Sequence, residues 1–276
     1  MPVSSTGVIG VGTMGGALAG HLLEKGHAVT VYDIKRALVE PLGKRGARLA
    51  QSPMEVAANS DLTLIVVVDD AQVKEVCLGH QGVLEGARPG SVVAICSTVQ
   101  PATCREVGQA AHARSVHVLD TPMLRGVWAA VEGKLLLMVG GDARVLEQCR
   151  PAFAAFASDV CHLGELGSGQ VGKIVNNLIL WACLIASREG LGLARSQGMD
   201  LGVLRDALLR SSADNFALRE WGRVSQQPKW WDQKDLKGVL ELAEESQAPV
   251  PIAAMVKELI KGFGPKEARD LLPHSA

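Results

Sequence analysis

Six residues near the start, Gly10-Val11-Gly12-Thr13-Met14-Gly15, follow a short apolar run and open a helical one, and Asp33 closes the next apolar run at 28–32. A dinucleotide diphosphate requires this order: one glycine for a tight turn, one to let the backbone approach the phosphates, one for close helix packing. A helix beginning near Thr13 would aim its free N–H groups and positive dipole end at the diphosphate. Asp33 would accept hydrogen bonds from the adenosine ribose hydroxyls, and its carboxylate would repel a 2′-phosphate, which favours NAD over NADP. Lys35 and Arg36 act in the opposite sense, because a basic pair there would partly neutralise an extra phosphate. Glycine spacing alone recurs by chance in a chain with 30 glycines. The strand, turn, helix, strand and acid in register are what make it specific.

The 276 residues can bury a substantial core in one large domain or two ordinary ones. With 28 basic and 29 acidic residues, the formal charge of −1 gives no footing for nucleic acid. The six cysteines lie far apart without a C-x-x-C pair, as in reduced core positions of a cytoplasmic protein. No His/Cys/carboxylate cluster has zinc-site spacing, so no metal is expected. The N-terminal residues lead us to expect no secretion signal, and the longest unbroken apolar stretch, 178–186, is shorter than a membrane span needs. A soluble protein with no membrane partner is expected.

From Val8 to about Cys161, short β-rich runs (7–9, 28–32, 62–68, 91–96, 116–119 and 134–139) alternate with helical stretches (15–25, 53–59, 71–77, 101–113 and 144–156). That alternation predicts an α/β fold, a doubly wound Rossmann sheet of parallel strands with its ligand cleft at their carboxyl ends. After Leu163 the strand signal stops. A turn-rich joint leads into a long interdomain helix over 170–197, and the rest is helical with breaks at Gly198, near 211–214, near Pro228 and at 249–251. The expected domains are therefore 1–163, which binds NAD(P), and an all-α 164–276.

Along the long helix, Lys173, Asn176 and Asn177 share an arc of about 100° opposite Val171, Ile174, Val175 and Leu178. Either these polar groups meet a substrate at a buried helix end, or they form a solvated first turn. Lys234 poses the same choice: Asp232 is placed to cap a helix carrying Leu236, Val239, Leu240 and Ala243, with Lys234 in its first turn. A cation there opposes the helix dipole unless an acid or a bound anion compensates.

Taken together, several segments resemble the β-hydroxyacid dehydrogenase family, which includes 3-hydroxyisobutyrate dehydrogenase and, more distantly, 6-phosphogluconate dehydrogenase. They are the glycine loop, Ser97-Thr98 before Pro101, Asp120-Thr121-Pro122-Met123-Leu124-Arg125-Gly126, Met138-Val139-Gly140-Gly141, Gly167-Ser168-Gly169-Gln170-Val171-Gly172-Lys173-Ile174-Val175-Asn176-Asn177, and Lys234-Asp235-Leu236. The resemblance implies that Lys173 is the catalytic lysine that shuttles the proton of the reacting oxygen, a base role that needs a pKa lowered by burial or nearby cations. It makes Asn177 the amide that orients the substrate and Lys234 the lysine at the pocket edge, close to cofactor and substrate. It sets Thr98 beside the nicotinamide ribose.

The family commonly has a serine and two glycines where this chain has Leu124, Arg125 and Gly126, a loop implied to hold the substrate carboxylate. Leu124 enlarges the apolar wall, and Arg125 either replaces the lost donor or points to solvent. Cofactor contacts at Val67 and Val68 fall in a segment, 66–70, that departs from the family's Met-Leu-Pro turn. The resemblance therefore implies an NAD-dependent oxidoreductase, with NADP the alternative cofactor, acting on a small hydroxy acid or aldehyde. A homodimer or homotetramer is implied as well. The rivals are an NADPH-dependent semialdehyde, glyoxylate or imine reductase, and a cofactor-binding module without turnover; imine reductases and non-catalytic relatives usually lack the lysine.

Overall fold

The computed structural model describes residues 3–225 and 229–272, and the break expected near Pro228 lies outside them. The chain divides into two compact units, Met1–Lys173 and Ile174–Ala276.

The first unit is built on one sheet of strands β1 (Ser5–Ile9), β2 (Ala28–Tyr32), β3 (Arg48–Leu49), β4 (Leu62–Ile65), β5 (Val92–Ile95), β6 (His117–Asp120), β7 (Met123–Leu124), β8 (Leu135–Gly140) and β9 (Ala157–Gly164). Its order is β3-β2-β1-β4-β5-β6-β8-β7, with β9 also paired to β8. Helices α1 (Thr13–Glu24), α2 (Arg36–Lys44), α3 (Pro53–Ala58), α4 (Asp70–Leu78), α5 (Val83–Gly86), α6 (Pro101–His112), α7 (Gly126–Val131) and α8 (Ala143–Phe153) join the strands. β4 and β5, with sequences LTLI and VVAI, are buried throughout, as central parallel strands covered on both faces must be. Local chemistry sets the helix starts. Ser52 caps α3 by accepting from the Glu55 N–H with Pro53 at the first position, and Asp69 and Asp142 cap α4 and α8.

The expected Rossmann arrangement is present from β1 to β6, all parallel. The sheet then departs from the parallel expectation, because β8 runs antiparallel to β6 and β7. Only six-residue α7, about 9 Å long, separates β7 from β8. So short a helix cannot carry the chain back along a strand for a parallel re-entry, and the chain reverses instead. β3 and β7 are two residues each, too short for a periodicity to register. β9, with sequence ASDVCHLG, is largely exposed and lacks the apolar run that marks an inner strand.

At the amino ends of the strands, the Asp61 carboxylate gathers the N–H and O–H groups of Ser4 and Ser5 at 2.7–3.1 Å and pairs with Arg88 at 2.9 Å. One acid thereby ties the start of β1 to β4 and to the turn before β5.

The long helix α9 (Ser168–Ser196) starts in the sheet unit and continues into the helical one. It is the helix among the described residues long and apolar enough to cross a membrane, a property that the core helix of a globular protein shares. The helical unit adds α10 (Leu201–Leu208), α11 (Phe216–Arg219), α12 (Trp221–Ser225), α13 (Lys229–Ser246), α14 (Pro251–Leu259) and α15 (Pro265–Leu271). Its core holds Trp181, Leu184, Ile185, Trp221, Leu236 and Phe263. The Trp221 indole N–H donates to the Ala268 carbonyl at 3.0 Å, and Arg188 lies over the Phe263 ring while pairing with Glu267. Asp232 is not a cap as expected: helix already runs from Lys229, so Asp232 stands inside α13.

Partial burial raises the pKa of Asp61, but the hydrogen bonds from Ser4 and Ser5 outweigh it and hold the value at about 2. A folded-state pKa below the ordinary value of 3.8 adds stability that is present above about pH 4 and is lost as the pH falls through 2. Urea midpoints measured from pH 5 down to pH 2 are expected to converge between wild type and Asp61→Asn. The gap at pH 5 should be about 1 kcal/mol, since the site is partly solvated.

Candidate active site

At the carboxyl end of β1 the chain turns at Gly10, with φ of +85°, where a Cβ would stand 2.2 Å from the Val66 carbonyl oxygen. Gly15 packs so closely that a Cβ would lie 1.9 Å from the Gly10 oxygen. Gly12 differs from both: it is exposed and has nothing within 4 Å of the Cβ position. Its missing side chain opens space to the outside rather than to a protein neighbour. No side chain caps α1 and no acid occupies its first turn, so its leading N–H groups, at exposed Thr13 and half-buried Met14, are open to an external anion. An open glycine at an uncapped helix start fits a dinucleotide diphosphate.

Asp33 braces this loop. One carboxylate oxygen accepts from the Val11 N–H at 2.9 Å and the other from the Lys35 N–H at 2.8 Å. The negative charge is thereby fixed at the end of β2, whereas Lys35 is exposed and Arg36 turns to Glu40 at 3.6 Å. Beyond β4, the Val67 N–H donates to the Ser97 hydroxyl at 2.9 Å, and that hydroxyl donates to the Ile65 carbonyl. Val68 beside it is exposed. The carboxyl edge of the sheet therefore brings together the glycine loop, Asp33, Val67 and the Ser97–Val99 segment that carries Thr98.

The start of α9 is fastened to that same edge. Asp120, fully buried at the end of β6, accepts from the Gly167 N–H at 2.7 Å and from the Gln170 N–H at 2.6 Å. Burial pushes its carboxyl above the ordinary range, and these N–H donors pull in the other direction. A Cβ on Gly140 would lie 2.3 Å from the Asp120 carboxylate, and one on Gly169 would lie 2.7 Å from it, so glycine is what lets the acid reach the helix start. Gln170, also fully buried, uses both ends of its amide: Oε1 accepts from the Val99 N–H at 3.1 Å and Nε2 donates to the Ser97 carbonyl at 2.8 Å. Both residues lie inside the sequence segments singled out above, yet no role was read for either. A buried acid at a strand end and a glutamine on the first helical turn have a spacing that reveals no partner.

In the first turns of α9, some exposures run against polarity. Val171 and Val175 are exposed, Lys173 is half-buried, and Asn177 is only 2% exposed. Of the two readings of the polar arc, the solvated first turn does not describe Asn177. Asn176 donates to the Asn177 Oδ1 at 3.1 Å, while the buried Asn177 Nδ2 has no hydrogen-bond partner among the described residues. A buried N–H donor left in that state is costly and calls for an acceptor oxygen. Lys234, in the helical unit, stands half-buried on α13.

After β7, the Arg125 backbone is left-handed, with φ of +77°, and its guanidinium Nη1 donates to Asp159 at 2.7 Å, Ser158 at 2.9 Å and the Lys134 carbonyl at 3.1 Å. One edge of the arginine is thus bound to β9 and to the residue before β8. Leu124 is buried at 3% exposure, and Gly126 follows with φ of +79°.

Two family descriptions match the chain. Residues 5–164 fit the NAD binding domain of 6-phosphogluconate dehydrogenase, and residues 167–271 fit the NAD-binding region of NADP-dependent 3-hydroxyisobutyrate dehydrogenase. An NAD-dependent L-serine dehydrogenase of Pseudomonas aeruginosa is 32% identical over 267 residues, covering 92% of this chain and 90% of that protein. A 3-hydroxyisobutyrate dehydrogenase of the same organism is 32% identical over 265 residues, covering 91% and 89%. Among solved structures, Mycobacterium tuberculosis 3-hydroxyisobutyrate dehydrogenase with L-serine superposes with a TM-score of 0.87 over 99% of this chain and all of that one, at 23% identity. With the glycine loop, the braced acid and the anchored lysine-bearing helix, these matches establish that the chain belongs to the β-hydroxyacid dehydrogenase family of NAD(P)-dependent oxidoreductases.

Proposed function

We propose that the protein transfers hydride between NAD and a small hydroxy acid or its aldehyde, with Lys173 as the proton-handling residue and Asn177 as the orienting amide. The observation that carries this reading is the burial of Asn177, with a spare donor, one turn beyond Lys173 on α9. An oxygen of the substrate satisfies that donor.

When bound, the nicotinamide would supply the hydride chemistry at the carbinol or carbonyl carbon of the substrate. In the oxidation, the Lys173 amine receives the hydroxyl proton; in the reduction, its ammonium gives that proton back. Thr98 would serve the nicotinamide ribose. Gly10, Gly12, Thr13, Met14 and Gly15 would hold the diphosphate and Asp33 the adenosine ribose, with Lys35, Val67 and Val68 as further cofactor contacts. Residues 1–163 serve the cofactor, and residues 164–276 serve the substrate and subunit assembly.

In the sheet unit, the Gly126 N–H receives the substrate carboxylate, and Leu124 makes the wall more apolar than a serine would; in the helical unit, Lys234 is the cation assigned to cofactor and substrate binding. Arg125 holds the loop in shape, since contact with the substrate would cost it the Asp159 bond. The fixed Asp33 charge supports NAD over NADP. Assembly as a homodimer or homotetramer is supported by the exposed apolar residues Val175, Ile179 and Leu193 on α9. A cytoplasmic location is supported by six free cysteines, four of them buried.

Steady-state rates with NAD and NADP against L-serine, 3-hydroxyisobutyrate and bulkier, more apolar hydroxy acids test the assignment. Turnover of at least one acid, faster with NAD, is expected. Lys173→Ala should lower kcat/KM by about 10³-fold with NAD affinity kept within about threefold. Unchanged rates in that variant would remove Lys173 from the chemistry. Asp33→Ser should move the cofactor ratio toward NADP by at least about tenfold, and a wild-type enzyme that already prefers NADPH would refute the role of Asp33.

A further inference from the structure

Gln170 is where the helix bearing Lys173 and the segment bearing Thr98 are joined. The Gln170 amide bonds the backbone on either side of Thr98, donating to the Ser97 carbonyl and accepting from the Val99 N–H. The planar amide offers a donor and an acceptor side by side, as a protonated carboxyl also does, and asparagine, one carbon shorter, does not extend far enough to repeat both bonds from the same Cα. Gln170 is fully buried, so no water takes over either bond.

Three residues along the helix from Gln170 stands Lys173, about 4.5 Å further along the axis and about 60° around it. Rotation or sliding of α9 that would displace the lysine must first break the amide clasp. The two Asp120 bonds to Gly167 and Gln170 add a second anchor at the same turn, so both the height and the rotation of the helix start are set. On the other side, the Ser97 hydroxyl passes the connection on to the Val67 N–H. A continuous chain of bonds thus runs from the cofactor-side loop at Val67, through Ser97 and Gln170, to the turn that presents Lys173.

We propose that Gln170 is a positioning residue that sets the Lys173 amine against the Thr98 segment, and that its amide acts on the proton-transfer step rather than on cofactor affinity. The proposal rests on the role given to Lys173 above.

The test uses the full chain with Gln170→Met, which keeps length and volume without the bonds, and Gln170→Glu, which keeps both bonds only while its carboxyl is protonated. Three quantities are read: kcat with NAD and the best acid of the wild-type survey, the NAD dissociation constant by calorimetry, and the ¹³C resonance of reductively methylated Lys173, assigned with Lys173→Arg. Gln170→Met should lose about 10–100-fold in kcat, bind NAD within about threefold of wild type, and shift the Lys173 resonance while leaving that of Lys234 in place. Gln170→Glu should approach the wild-type kcat at acidic pH and lose it as the buried carboxyl ionises against the Ser97 carbonyl, giving an alkaline limb absent from wild type.

A folded Gln170→Met protein with kcat and the Lys173 resonance unchanged would overturn the proposal. Should that variant fail to fold, a Gln170→Glu profile parallel to wild type at all pH values would do the same. Loss of the reading for Lys173 would look different, because Lys173→Ala would then retain turnover whatever Gln170 does.

Discussion

The buried carboxylate of Asp120 is the contact on which the placement of the chemistry depends. A 29-residue helix begins with several N–H groups that have no partner of their own, and at α9 two of them end on one acid at the tip of β6. The arrangement solves two problems at once. The anion is stabilised by the positive end of the helix dipole, and the helix start is bound to a central strand rather than to a loop. Such a site tolerates no side chain around it, which explains why Gly140 and Gly169 crowd the carboxylate at distances a Cβ could not occupy.

The same device recurs along the sheet with different consequences. At the end of β2, Asp33 takes the N–H groups of Val11 and Lys35 and so sets the shape of the glycine loop as well as the charge beside it. At the opposite edge, Asp61 collects Ser4 and Ser5 and ties the amino ends of the strands. Each carboxylate satisfies backbone donors that would otherwise be left over where a strand ends. Only the two at the carboxyl edge serve the site, because a doubly wound sheet gathers its loops there.

The loop after β6 shows how a departure from the family pattern is accommodated. Arg125 stands where a glycine is common and adopts a left-handed backbone, a conformation that costs a residue with a side chain about 1 kcal/mol. Its bonds from Nη1 to Asp159, Ser158 and the Lys134 carbonyl offset that cost. Beside it, buried Leu124 places hydrocarbon where the family commonly has a hydroxyl.

By itself the sequence determined the Rossmann half and the identity of the cofactor loop, because hydrophobic alternation, helix caps and glycine spacing are local patterns that short stretches of chain enforce alone. The strand at 28–32, the strand expected at 62–68 and found at 62–65, and the positive-φ turn at Gly10 are of this kind. The resemblance carried by residues 167–177 also points to the family from sequence alone. What the tertiary structure alone decided is which polar side chains meet. The two-residue strands, the reversal at β8, the capture of Arg125 by Asp159 and the Lys134 carbonyl, and the clasp of Gln170 on Ser97 and Val99 join positions from 9 to 73 residues apart. A hydrogen bond is specified by distance and angle in space, and no periodicity along the chain encodes where a buried amide or carboxylate will find its partner.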